Sequence, residues 1–327
     1  YFEDNLGILC ALAAMILFLY IWPTTHSTFL TQRNIFNVLR QSAPNLLLAC
    51  GMTMVIILGG IDLSVGSIIA LSGCFAAGCV SRYGLPIAVG VLGGVGPLAT
   101  VYFMEMIIEM TDASKDQEHI DMLVSNHATI PDRTGFILGE SSESPMDAMV
   151  EDAQMLETAG CSFVVIPCNT AHYFFEDIRN SVQIPVLNII EETIDYAKKQ
   201  GSQRKIPREI KKLGILATEG TISSGTYSFY GKPAGVECVA PDPGFQKKVN
   251  HMIYDQIKAG YPVSREAIME VIDHMRGKGC DAVIMGCTEL SVIYRDLKLR
   301  ETCEDVIDSL WVLARSTVLK SGKQLRD

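Results

Sequence analysis

Charge is nearly absent from the first 91 of the chain's 327 residues: only Glu3, Asp4, Arg33, Arg40, Asp62 and Arg82 carry it, and they sum to zero. With 37 acidic and 27 basic residues in all, the remainder holds the whole formal charge of -10. That acidic remainder has no basic block, which excludes nucleic acid as a partner because phosphate binding needs a basic stripe. No Cys-x-x-Cys pair occurs among the ten cysteines and the six histidines are not grouped with them, so zinc ligation has no support. A disulfide framework is not expected in an α/β chain of this size facing the cytosol. At 48% apolar the chain is neither disordered nor collagen-like. Its mean hydropathy of +0.24 averages two unlike parts.

The first part reads as membrane. Residues 6–22 form an uncharged apolar run of about 17 residues, close to a bilayer span of ~30 Å at 1.5 Å per residue. Two more runs, 45–58 and 65–80, flank Gly59-Gly60-Ile61-Asp62-Leu63-Ser64. The acidic entry Glu3-Asp4 and the lack of a basic start disfavour a cleavable signal peptide. Asp62 is the sole acid between Asp4 and Glu105, and an ionisable group at membrane depth faces protein or water. Residues 28–34, 37–41 and 59–67 resemble the start of sugar-type ABC importer permeases of the ribose-permease family, over about 5–85. The resemblance implies a truncated permease, since the further spanning helices and the ATPase-engaging loop have no counterpart after residue 91.

From there the pattern is α/β. Apolar, β-branched runs at 87–92, 120–124, 163–166, 186–189, 213–216, 236–240, 282–285 and 305–307 read as strands. They alternate with helix-period segments at 99–110, 145–159, 172–181, 191–200, 244–259, 264–278 and 310–320. Such alternation predicts parallel sheets covered by helices. An internal repeat predicts two domains. The string Gly160-Cys161-Ser162-Phe163-Val164-Val165-Ile166-Pro167-Cys168-Asn169-Thr170 recurs 119 residues later as Gly279-Cys280-Asp281-Ala282-Val283-Ile284-Met285-Gly286-Cys287-Thr288-Glu289. The expected fold is therefore α/β, two pseudo-symmetric parallel-sheet domains with the site between them, preceded by an α-helical transmembrane-type segment. The expected divisions are a permease-like segment 1–86, a first domain 87–190 with 305–327, and a second domain 191–304.

Each repeat places one cysteine at the carboxyl end of a strand, where the next helix begins. Ligands in open α/β sheets bind beyond those strand ends, and helix N-termini lower a thiol pKa. Cys168 and Cys287 are thus candidate reactive thiols facing each other across a cleft, whereas Cys161 and Cys280 read as core packing. The Gly93-Gly94-Val95-Gly96-Pro97 stretch lacks the pattern of a nucleotide loop and reads as a tight turn lining the cleft, with 218–221 as its counterpart. His172 orients Cys168 or is a satisfied structural histidine; Glu289 tunes Cys287 or points to solvent, and it is left out of the catalytic set.

Residues 92–100, 130–134, 166–172 and 285–290, in this order, resemble the aspartate/glutamate racemase family over about 87–327. The resemblance implies cofactor-independent racemisation of an acidic amino acid, aspartate foremost and glutamate next. It also implies a homodimer formed through this part and a cytoplasmic position for it, in a chain that is membrane-associated through residues 6–80. Inversion at Cα needs a base on one face and an acid on the other, and Cys168 and Cys287 fit those roles. Asn169, Thr170 and Thr288, at helix starts, are expected to receive the substrate carboxylate, with Gly96 and Thr221 lining the cleft. By resemblance Arg133 and Lys258 contact the distal carboxylate, Arg133 being a planar fork suited to it. The rival class is a transport-associated membrane protein whose racemase-like part is a non-catalytic amino-acid-binding module; loss of either cysteine would have favoured it.

Overall fold

The computed structural model describes residues 89–203 and 209–326. The expected transmembrane-type segment and the permease-like division 1–86 lie outside the described residues. Among the described residues no helix is long and apolar enough to cross a membrane. Contact density separates Tyr1–Leu85 from Pro86–Asp327, close to the break read from charge.

Two four-stranded sheets, all parallel, make up the described part. The first has the order β2-β1-β3-β4, from β1 (Val89–Gly93), β2 (Met122–Asn126), β3 (Phe163–Val165) and β4 (Val186–Leu187). The second repeats that order as β6-β5-β7-β8, from β5 (Lys212–Leu216), β6 (Glu237–Val239), β7 (Ala282–Met285) and β8 (Val306–Asp308). The eight strands match the eight apolar runs, and the equivalent orders show that the internal repeat is structural.

Period-two alternation sorts each strand's side chains between cores. Val89, Val91, Phe163 and Val165 point into a core shared with Leu213, Ile215, Ala282 and Ile284 of the second sheet. Leu92, Val164 and Ile166 face a separate core on the outer side of the first sheet, and Leu216, Val283 and Met285 face one outside the second. The two halves are thus fused through a common apolar layer. Cys161 and Cys280 occupy the same place in each half: a Cβ on Gly90 would stand 3.2 Å from the Cys161 Sγ, and one on Gly214 3.2 Å from the Cys280 Sγ. Each thiol fills the space that a strand glycine leaves.

Residues 305–327 divide between the halves. β8 hydrogen-bonds to β7 in the second sheet, while the last helix (Ser309–Lys320) packs on the helices Pro97–Met110 and Ile189–Gln203. The run 186–189 is shorter than a full strand because Asn188 turns the chain; its Oδ1 accepts from the Ile190 and Glu191 N–H at 2.9 and 3.2 Å and caps the helix. The stretch 244–259 is an α-helix to His251 and then a π-helix (Met252–Ile257). π-Turns interrupt helices at functional sites, and this one presents Tyr254 and ends at Lys258.

Candidate active site

Both repeated strands release a cysteine at their carboxyl ends. Cys168 lies three residues past β3, just before a 3-10 helix (Thr170–Phe174), and Cys287 caps the helix Thr288–Asp296 two residues past β7. The two thiols are 6% and 5% exposed and line one cleft of about 340 Å³. Its walls come from both halves: Arg133, Asn169 and Thr170 from the first, Thr218, Tyr254, Lys258, Thr288 and Glu289 from the second.

The thiols are electrostatically unequal. Burial holds Cys168 above the ordinary thiol value, and the Arg133 guanidinium, the Ala171 N–H and Lys258 offset that rise only in part. Cys287 is held well above the ordinary thiol value, first by burial and then by the Glu289 carboxylate. Its Sγ donates to Glu289 Oε2 at 2.9 Å. Glu289, left out of the catalytic set on sequence, is brought to the Cys287 thiol because the first helical turn folds its side chain back over the cap. Lys258 Nζ lies 3.7 Å from the other oxygen of Glu289 and over the Tyr254 ring at 4.7 Å. Burial pulls Lys258 down, but Glu289 and Cys287 outweigh it, and the ammonium is held charged.

Arg133 begins a short helix (Arg133–Ile137) whose cap, Asp132, accepts from the Gly135 N–H. Its Nη1 donates to the Ile130 and Pro131 carbonyls at 3.2 and 3.0 Å, while its Nε is buried without a hydrogen-bond partner among the described residues. A guanidinium fixed by carbonyls, with a donor to spare, is a seat for an anion.

Thr170, Thr218 and Thr221 form a buried triangle of hydroxyls with sides of 3.0, 2.9 and 3.0 Å. Thr170 and Thr218 reach the cleft; Thr221 stands behind them. Gly96 lines an outer cavity of about 970 Å³ that shares Arg133, Lys258, Thr288 and Glu289 with the cleft and adds Pro97, Leu98, Ile257 and Val292. This is the mouth of the site. Gly94 lets the loop close: at φ +80° its Cβ would lie 2.3 Å from the His127 backbone. Asn169 caps nothing with its side chain. It donates instead to Ser309 Oγ at 2.9 Å and accepts from the Tyr227 hydroxyl at 2.7 Å, two residues no local pattern marks.

His172 supports Cys168 from behind. The Ile189 N–H donates to its Nε2 at 3.1 Å, so its proton sits on Nδ1 and goes to the Cys168 carbonyl at 2.8 Å. Both ring nitrogens are used, and burial lowers its pKa to about 4. Among the described residues no group of three or more His, Cys, Asp or Glu is placed to hold a metal ion.

Known proteins are similar to this chain over the same stretch. The family profile described as Asp/Glu/Hydantoin racemase matches residues 92–317. The broad specificity amino-acid racemase RacX of Bacillus subtilis is 29% identical over 240 residues, covering 70% of this chain and 96% of its own. The structure of aspartate racemase from Picrophilus torridus aligns with a TM-score of 0.62 at 33% identity, over 73% of this chain and 96% of that one. At the other end, the ribose import permease protein RbsC of Escherichia coli is 46% identical over 70 residues. That match spans 21% of this chain and only 22% of the permease.

Proposed function

This chain belongs to the Asp/Glu/hydantoin racemase family and is an amino-acid racemase, an isomerase; from that premise we propose that it inverts an acidic amino acid, aspartate foremost and glutamate next, with Cys168 and Cys287 as the acid/base pair. The observation that carries this reading is the placement of both thiols, one from each repeat, in one cleft with Arg133 and Lys258. The division into 87–190 and 191–304, with β8 joined to the second part, gives each half one thiol.

The unequal surroundings assign the resting protons. Burial favours the protonated form of both, but Arg133 opposes it at Cys168 whereas Glu289 reinforces it at Cys287, so Cys168 is the sulfur that yields its proton more readily and Cys287, hydrogen-bonded to Glu289, is the thiol. In one direction the Cys168 sulfur takes the Cα proton while Cys287 delivers its own to the opposite face, leaving a Cys168 thiol and a Cys287 thiolate. In the other direction the roles exchange. Before the next turnover in the same direction the Cys287 thiolate regains a proton and the Cys168 thiol releases one, exchanged with solvent, and the Glu289 carboxylate beside Cys287 favours the return of its proton. The developing negative charge on the substrate carboxylate meets the N-terminal N–H groups at Thr170 and Thr288 and the amide of Asn169. The side-chain carboxylate is matched by Arg133 and Lys258, a charge pattern that favours aspartate or glutamate over neutral amino acids. A non-catalytic binding module would not need two thiols in opposed positions.

The test is conversion of L- and D-aspartate and of L- and D-glutamate by the full chain, followed by chiral chromatography. Equilibration of aspartate towards equal enantiomers supports the proposal; no conversion of either acid overturns it.

A further inference from the structure

Behind the thiols, three buried side chains tie the two cysteine loops together. Asn169, adjacent to Cys168, donates from Nδ2 to Ser309 Oγ and accepts at Oδ1 from the Tyr227 hydroxyl. Ser309 donates in turn to the carbonyl of Met285 at 2.8 Å, two residues before Cys287. Tyr227 also packs on Gly286, where an added Cβ would stand 3.3 Å from both its ring and its hydroxyl. The bond directions are forced. A carbonyl only accepts, so Ser309 commits its proton to Met285 and must accept from Asn169, which turns the amide nitrogen to Ser309 and the oxygen to Tyr227. Asn169, Tyr227 and Ser309 are 2%, 3% and 0% exposed. Shifting either loop would leave a buried polar group unpaired, so the closed network resists both movements.

Resting on the two-thiol reading, we propose that Tyr227 and Ser309 are positioning residues that, through Asn169, brace the Cys168 loop against the Cys287 loop and fix the gap and mutual aim of the two sulfurs. Something must do so, because β3 and β7 belong to different sheets and no strand register relates them. Neither residue lines the cleft, so both act through the loops they hold. Proton transfer to opposite faces of one carbon needs both sulfurs in place together, and a misplacement of about 1 Å costs on the order of 100-fold in rate.

The test uses Tyr227→Phe, which keeps the ring on Gly286 and removes only the hydroxyl, and Ser309→Ala, in the full chain. The first readout is iodoacetamide alkylation of each cysteine in the substrate-free protein, followed by mass spectrometry. Each variant is expected to raise the rate at both Cys168 and Cys287 by about threefold or more, the scale of one lost hydrogen bond, with Cys161 and Cys280 unchanged. A change at one thiol alone, no change at either, or an equal rise at Cys161 and Cys280 overturns the brace. The second readout is the ratio of Cα hydrogen exchange to inversion for aspartate in D₂O. It is expected to rise about tenfold while KM moves less than about twofold, because exchange needs one placed thiol and inversion needs two. An unchanged ratio overturns the proposal. Should Ser309→Ala not fold, Tyr227→Phe carries both readouts. The alkylation arm needs no turnover, so failure of the brace is told apart from failure of the racemase reading, which shows as absence of inversion by the unaltered chain.

Discussion

The thiol of Cys287 donates a 2.9 Å hydrogen bond to the carboxylate of Glu289, two residues along the same helical turn. That contact makes the two halves of the cleft chemically unlike although their backbones repeat. Arg133 eases proton loss from Cys168 and Glu289 opposes it at Cys287, an inequality that suits the proposed base and acid roles.

Glu289→Gln removes the negative charge while keeping the shape. Burial is the larger cause of the raised Cys287 value and Glu289 the second, so the substitution lowers the thiol's pKa without restoring the ordinary value. The pH midpoint for alkylation of Cys287 should therefore move down. Racemisation should still fall by about 10- to 100-fold, because the carboxylate that holds the Cys287 thiol protonated and accepts its hydrogen bond is gone. An unmoved midpoint would break the link between the two residues.

Arg133→Ala should cost selectivity more than fold. The side chain is held by two carbonyls and keeps one buried donor free, so under the proposed binding its loss would leave the distal carboxylate with Lys258 alone. The ratio of kcat/KM for aspartate over alanine should drop by about 10- to 100-fold, the worth of a charge-assisted hydrogen bond. An unchanged preference would remove Arg133 from substrate recognition.

His172 should stay neutral deep into acid. With its Nε2 accepting from Ile189 and its pKa lowered by burial to about 4, nitrogen-15 shifts of the ring should show the Nδ1–H form at pH 5, well below the ordinary value of 6.5. Between those two values the unfolded chain binds a proton that the native one refuses, so stability from this residue is complete above pH 6.5 and is lost as pH falls towards 4. A ring that protonates near 6.5 would contradict the buried, doubly bonded placement.

Asp308 should act with the opposite sign. Burial raises it from 3.8 to about 7, despite bonds from the Ser291 hydroxyl and the Leu310 and Trp311 N–H groups. The native state then holds a proton that the unfolded state releases, so stability falls as pH rises from about 4 to 7. Urea unfolding of the unaltered chain against Asp308→Asn should show the difference shrinking or reversing over that interval; a difference independent of pH would contradict it.

The strands and the two thiols were legible because their signals are local. Each cysteine stands at the end of an apolar run, and the run is repeated, so the repeat alone announces a symmetric pair. Short helices such as Thr226–Gly231 and Leu299–Thr302 are too brief for a period to register. Glu289 was ambiguous, since a residue two places after a cap can face the cleft or solvent. Tyr227 and Ser309 were not legible at all. They meet Asn169 across 58 and 140 residues, and only the folding of one half onto the other puts them there.

In the proposed mechanism one proton leaves to one sulfur and another arrives from the opposite one. Its most direct test follows Cα of L-aspartate by proton NMR in D₂O, with the unaltered chain, Cys168→Ser and Cys287→Ser. Early D-aspartate should carry deuterium while the remaining L-aspartate keeps its protium, and each serine variant should lose inversion by about 1,000-fold. Early D-aspartate that retains its original protium, or near-normal inversion by either variant, would contradict it.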